Sequence, residues 1–162
     1  MNIFYGNKRI VIVGVNGNQT AKDVAEQLKQ EGIKNTVLLD MPKSYRDYYS
    51  LAELKPDYTL VLEESSACKV QPYKIEGHNG TVGKRDSRDL TESQKAKECY
   101  RHYLQILEFE PYMLGAQEIP FEDVKHIPWY YQDKTPLLHL KTQRVEGIAD
   151  AVCSAIKDYF KA

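Results

Sequence analysis

Two adjacent carboxylates, Glu63 and Glu64, close the apolar run Tyr58-Thr59-Leu60-Val61-Leu62. Such a run reads as a buried strand, and acids at its end are costly to bury without a partner or a purpose. Successive strand residues point to opposite faces, so only one of the pair faces a given site. A carboxylate there has the chemistry of a general base or of a ligand to a divalent metal. Asp40 ends a second apolar run, Thr36-Val37-Leu38-Leu39, in the same way. Asp40 and Glu64 are therefore candidate metal ligands. His78, flanked by glycines in Gly77-His78-Asn79-Gly80, is the candidate histidine to join them. Glu64 and His78 are also the candidate catalytic pair, as base and proton carrier.

A third candidate lies after Ile10-Val11-Ile12-Val13. The stretch Gly14-Val15-Asn16-Gly17-Asn18-Gln19-Thr20 has glycines that expose backbone N–H groups just before a helix. That arrangement suits a phosphate or another small anion at a helix N-terminus. Gly14, Asn16, Gly17, Asn18 and Thr20 are its candidate ligand-binding residues. Gln19 stands where a phosphate-binding loop has lysine, and G-x-G-x-x-G is not formed. The same residues also read as a tight strand-to-helix turn, with the Thr20 hydroxyl as helix cap.

The elements that must position these groups follow from periodicity. Ala21, Val24, Ala25 and Leu28 lie on one face of a helix that Gly32 ends. Ser44 to Leu51 reads as a short helix and Lys55-Pro56-Asp57 as a turn. Lys69-Val70 and Tyr73-Lys74-Ile75 suit a short edge strand around Pro72. Gly77 to Asp89 holds three glycines and no apolar period, and reads as a long, mobile loop that would deliver His78. A helix opening at Thr91 carries Ala96, Cys99, Tyr100, Tyr103, Leu104 and Leu107 on one face. Pro111 to Gly115 is a late strand, and Pro120 to Pro136 is loop-like. Val145, Ile148, Ala149, Val152, Ala155, Ile156 and Tyr159 mark a C-terminal helix. Strands alternating with helices imply a single α/β domain over residues 1–162, a three-layer α/β/α sandwich with a mostly parallel central sheet. In such sheets ligands sit beyond the carboxyl ends of the strands, where the candidate residues gather.

Composition narrows the classes. The chain has 162 residues, 42% hydrophobic and 28% charged, with a net charge of −1. That balance argues against a nucleic-acid or anionic-membrane binder. Cys68, Cys99 and Cys153 form no C-x-x-C, and free thiols suit a reducing, cytoplasmic setting. Cys99 and Cys153 fall on apolar helix faces and read as core; Cys68 sits beside Lys69 in a loop. His78, His102, His126 and His139 form no H-E-x-x-H or H-x-H. Lys84 to Asp89 alternates in sign and reads as solvated loop. The clusters Trp129-Tyr130-Tyr131 and Tyr45/Tyr48/Tyr49 could cover a site or a partner surface.

Several segments, in order, resemble the hydrogenase maturation endopeptidases, small α/β proteases that clip the C-terminus of the hydrogenase large subunit. Val37-Leu38-Leu39-Asp40 resembles that family's second strand. Glu53-Leu54-Lys55-Pro56 with Leu60-Val61-Leu62-Glu63-Glu64 resembles its third, which ends in a metal-binding acid. Lys69 to Ile75 resembles the following segment with its proline, and Met113 to Ile119 the late strand and turn. The resemblance implies a phosphorylase/hydrolase-like sandwich, a protein or peptide substrate and a divalent metal. The chain departs from the family at two points. The loop from Gly14 to Gln19 has no acid, and Asp89-Leu90-Thr91 stands where the family places its metal histidine. Of that ligand set the chain keeps Glu64, or Glu63 in a register shifted by one. His78 separately resembles the zinc motif of cell-wall amidases, which in that family follows the first strand. Beside the hydrolase reading stand a nucleotide- or anion-binding module built on Gly14 to Thr20 and a non-enzymatic interaction module built on Trp129-Tyr130-Tyr131. The oligomeric state is left open by the sequence.

Overall fold

The computed structural model describes residues 7–43, 48–65, 92–105, 107, 111–115 and 135–161. Five strands form one sheet in the order β2-β1-β3-β5-β4. They are β1 (Ile10–Val15), β2 (Val37–Met41), β3 (Tyr58–Glu64), β4 (Tyr112–Gly115) and β5 (Leu137–Thr142). The β1–β2, β1–β3 and β3–β5 pairs are parallel, and β4 runs antiparallel to β5 at the edge. The sequence expectation of an α/β fold with a mostly parallel sheet is met. The four described helices are α1 (Gln19–Gln30), α2 (Tyr48–Glu53), α3 (Glu92–Leu104) and α4 (Ile148–Lys161).

The central strands are apolar on both sides, because both sides are covered. Ile10, Ile12, Tyr58, Leu60, Leu62, Leu138 and Leu140 pack with Ala21, Val24, Ala25 and Leu28 of α1, Ala96, Tyr100 and Leu104 of α3, and Val152, Ala155 and Ile156 of α4. The alternate residues Val11, Val13, Val15, Val61 and Leu137 face the other way, against Tyr48 and Leu51 of α2. We call these the α1 face and the α2 face. Burying a side chain such as Leu60 or Ile12 fully contributes roughly 1.5–3 kcal/mol.

Three expectations need correction. The cap of α1 is Asn18, not Thr20. Asn18 is extended (φ −68°, ψ 153°), and its side chain accepts from the Ala21 N–H at 2.8 Å. Thr20 already lies inside the helix, which frees its hydroxyl for another partner. The face of α3 is more polar than its spacing suggests. Ser93, Gln94 and Lys97 are buried beside Ala96, Tyr100 and Leu104, while Cys99 and Tyr103 are only partly covered. The third correction is a strand that went unread: Leu137–Thr142 sits in the middle of the sheet, between β3 and β4. Cys153 is core as expected, and burial pushes its thiol well above the usual range.

Candidate functional site

The chain goes from β1 out to β2, then returns past β1 to β3. Strand order thus reverses about β1, and the carboxyl ends of β1 and β3 mark the crevice where open α/β sheets bind ligands. Asp40, Glu63, Glu64 and the turn after β1 lie around this point; Gly115, expected beside them, lies toward the other end of the sheet, because β4 is antiparallel and Gly115 pairs with Leu138 near the start of β5.

On the α1 face the crevice is laced shut. The Asn18 amide donates to the Leu62 carbonyl at 2.8 Å and to the Val15 carbonyl at 3.0 Å. Glu64 Oε2 accepts from the Thr20 backbone N–H at 2.9 Å and from the Thr20 hydroxyl at 2.7 Å. The N-terminus of α1 therefore already has its anion, supplied by the end of β3. That is a favourable place for a carboxylate, since the first helical N–H groups are otherwise unpaired and carry partial positive charge. The glycines fit the same geometry. A Cβ on Gly14 would lie 2.9 Å from Ala21 Cβ and 3.3 Å from Asp40 Oδ1, so α1 and β2 approach the backbone there closely. Gly17 has φ +64°. Gly14, Gly17, Asn18 and Thr20 thus build the turn and the first turn of α1.

Asn16 is exposed, with φ 59°, a left-handed conformation that asparagine tolerates better than most residues. Its N–H donates to the Met41 carbonyl at 2.7 Å, and its Oδ1 accepts from the Lys43 N–H at 3.1 Å. The β1–α1 turn is in this way tied to the exit of β2. Asp40 lies on the α1 face in register with Gly14 and is exposed.

On the α2 face the arrangement is different. Glu63 is buried, and its Oε1 lies 3.0 Å from Nε2 of His139, an imidazole only 1% exposed on β5. The other carboxylate oxygen, Oε2, pairs with Lys43 Nζ at 3.2 Å. Burial drives the Glu63 carboxyl upward, but the Lys43 hydrogen bond and the charge and hydrogen bond of His139 outweigh it. The net shift is downward, so Glu63 is held ionised. An ionised carboxylate only accepts, so the imidazole nitrogen facing it carries the hydrogen. Whenever the ring is neutral, its lone pair therefore lies on Nδ1. A histidine oriented by a carboxylate in this way has the makings of a general base.

Sequence reasoning missed His139. It forms no local motif and meets Glu63 only through the β3–β5 register, in which Val61 is opposite His139 and Glu63 lies two residues further on. The signal available was the apolar run Leu137-Leu138-His139-Leu140, a strand-length segment with one ionisable residue inside it. His102, expected to be solvated, is exposed on α3. His78, His126, Cys68, Tyr45, Trp129-Tyr130-Tyr131 and the segments 69–75 and 77–89 lie outside the described residues.

The donors for a divalent metal were tested against the same geometry. Asp40 and Glu64 share the α1 face, but Glu64 is committed to Thr20, and no group of three or more His, Cys, Asp or Glu suited to a metal gathers among the described residues. Asp40 and Glu64 alone supply few donors for a tightly held divalent ion, and His78, the third of the candidate set, lies outside the described residues. A cavity of about 450 Å³ lies between α1 and the segment that leads from β5 into α4, lined by Asp23, Gln27, Arg144, Gly147 and Asp150. It contains none of the strand-end groups. No helix among the described residues is long and apolar enough to cross a membrane. Comparison with family models, with curated proteins and with solved structures finds no match to this chain.

Proposed function

We propose that this chain is a hydrolase-like protein that acts on a protein or peptide substrate at the carboxyl ends of its parallel strands. In this reading His139 is the general base and Glu63 its orienting carboxylate. The observation that supports it is the 3.0 Å contact between His139 Nε2 and Glu63 Oε1, both side chains buried next to the reversal point of the sheet. A buried imidazole and a buried acid in otherwise apolar strands cost free energy unless paired, and pairing them fixes ring orientation and tautomer. The hydrogenase-maturation-endopeptidase-like reading of the sequence suggests the same substrate class. It places the chemistry on Glu64, whereas here Glu64 serves α1 and Glu63 takes the chemical role.

The mechanism requires water to reach Nδ1 of His139, an atom buried in this structure; there the imidazole, when neutral, takes a proton from the attacking water. The imidazolium then faces the ionised Glu63 at Nε2–H, which stabilises the charge as it forms. The same proton is returned to the leaving amine. Glu63 itself stays ionised throughout.

Digestion of a random peptide library, read by mass spectrometry, tests this reading. The wild-type chain is expected to produce defined cleavages. His139→Gln and Glu63→Gln, each checked for folding by circular dichroism, are expected to lose about 100-fold or more of the rate. A library left intact by the folded wild-type chain overturns the reading, as does undiminished cleavage by His139→Gln.

A further inference from the structure

We propose that Lys43 is a positioning residue that acts through Glu63 on His139, and that Asn16 fixes Lys43 over the carboxylate. The inference rests on the reading of His139 as an acid–base group. It goes beyond that reading by assigning a role to the β1–α1 turn, which the sequence offers only as a ligand loop.

Three strands that are not all neighbours meet in this relay. Lys43 follows β2, Glu63 ends β3 and His139 lies on β5, with β1 between the first two. The Lys43 side chain is 66% exposed, while that of Glu63 is 7% exposed. An ion pair on a lysine so exposed contributes little to stability. Its effect on proton affinity is another matter, because the partner carboxylate is shielded from water and already bonded to an imidazole.

The lysine is placed from both ends. Its N–H donates to Asn16 Oδ1 at 3.1 Å and its Nζ reaches Glu63 Oε2 at 3.2 Å. Asn16 is in turn anchored to Met41 and held in the left-handed region. Asn16 and Lys43 thus set the charge beside Glu63, and Glu63 sets the proton on His139. Lys141, opposite Glu63 in the β3–β5 register, is a second cation on this face, and Arg9 reaches the same face further off, at the Leu54 carbonyl.

Titration of the His139 ring by proton NMR, in the full-length chain at low ionic strength, tests the relay without requiring turnover. Removing a nearby cation favours the protonated form of every group around it. Lys43→Met is therefore expected to raise the His139 midpoint by roughly half a pH unit or more. Lys43→Arg is expected to restore it. Asn16→Gly, which keeps the turn and removes the amide, is expected to move it in the same direction by less. Lys141→Met is titrated alongside and is expected to have the smaller effect. A His139 midpoint unchanged or lowered in folded Lys43→Met overturns the inference, and so does a larger effect from Lys141→Met. Absence of peptide hydrolysis together with the expected shift would overturn the proposed function and leave the relay standing.

Discussion

Glu63 and Glu64 are neighbours in the chain whose carboxylates serve opposite faces of the sheet, one bonded to His139 and Lys43, the other to the first turn of α1. The alternation of a strand separates them, and each finds its own partners. In the proposed reading Glu63 carries the chemistry, while Glu64 bonds to the first turn of α1.

The charge on Glu63 gives a pH dependence with a definite sign. Its carboxyl is held below the usual range in the folded protein, while in the unfolded chain it titrates near about 4.3. A group with a depressed folded value adds stability above its unfolded value, and that addition is lost as the pH falls through the folded value. Wild type is therefore expected to exceed Glu63→Gln in stability at neutral pH. The gap should narrow below roughly pH 4.5 and close in stronger acid. Urea unfolding of both proteins across that range measures it, and a gap that widened on acidification would contradict the assignment.

Gly14 at the end of β1 and Gly17 in the β1–α1 turn are expected to resist substitution for different reasons. Gly14→Ala forces a methyl to within 2.9 Å of Ala21 Cβ, so α1 must move, at a cost of about 1–3 kcal/mol. Gly17→Ala meets only Asp40, at 3.8 Å, but must hold φ +64°, which costs roughly 1–2 kcal/mol. Gly17→Asn is expected to recover part of that loss, since asparagine tolerates the left-handed region; Gly14→Asn is not expected to recover any. Chemical denaturation of the four variants separates strain from crowding.

The start of α1 depends on side chains from two places in the chain. Asn18→Ala removes the cap and two donors to strand carbonyls, and is expected to destabilise by about 1–2 kcal/mol or more. Glu64→Ala removes the acceptor for Thr20 and the negative charge at the helix N-terminus, with an expected cost of about 1 kcal/mol. If the turn is structural, adding millimolar phosphate should not raise the melting temperature of the wild type. In Glu64→Ala the vacated N–H and hydroxyl give phosphate a foothold, and a modest rise is expected there alone. A rise in the wild type would restore the anion-binding reading of the loop.

Much of the fold was legible in the sequence because its signals are local. Ile10 to Val13 and Tyr58 to Leu62 are uninterrupted β-branched or apolar runs, and Ala21, Val24, Ala25 and Leu28 repeat at helical spacing. That Glu63 and Glu64 would part company followed from the two-residue period of a strand. The β5 strand was not legible. Leu137-Leu138-His139-Leu140 is short, shows no alternation and follows a proline-bounded stretch. Its place beside β3 is set by long-range pairing, which no local pattern reports. The missing strand concealed the missing site residue, since His139 becomes significant only when its register with β3 is known. Thr20 shows a related limit. Threonine is a good cap, but Asn18 took that position and Thr20 bonded across the turn to an acid forty-four residues away.

Ionised Glu63 faces Nε2 of His139, and the proposed base is therefore Nδ1. Long-range proton–nitrogen NMR of the ¹⁵N-histidine-labelled protein reads that tautomer directly at neutral pH. A protonated Nε2 and an unprotonated Nδ1 are expected for the neutral ring of His139, a preference lost in Glu63→Leu. A hydrogen on Nδ1 with the lone pair on Nε2 would contradict it.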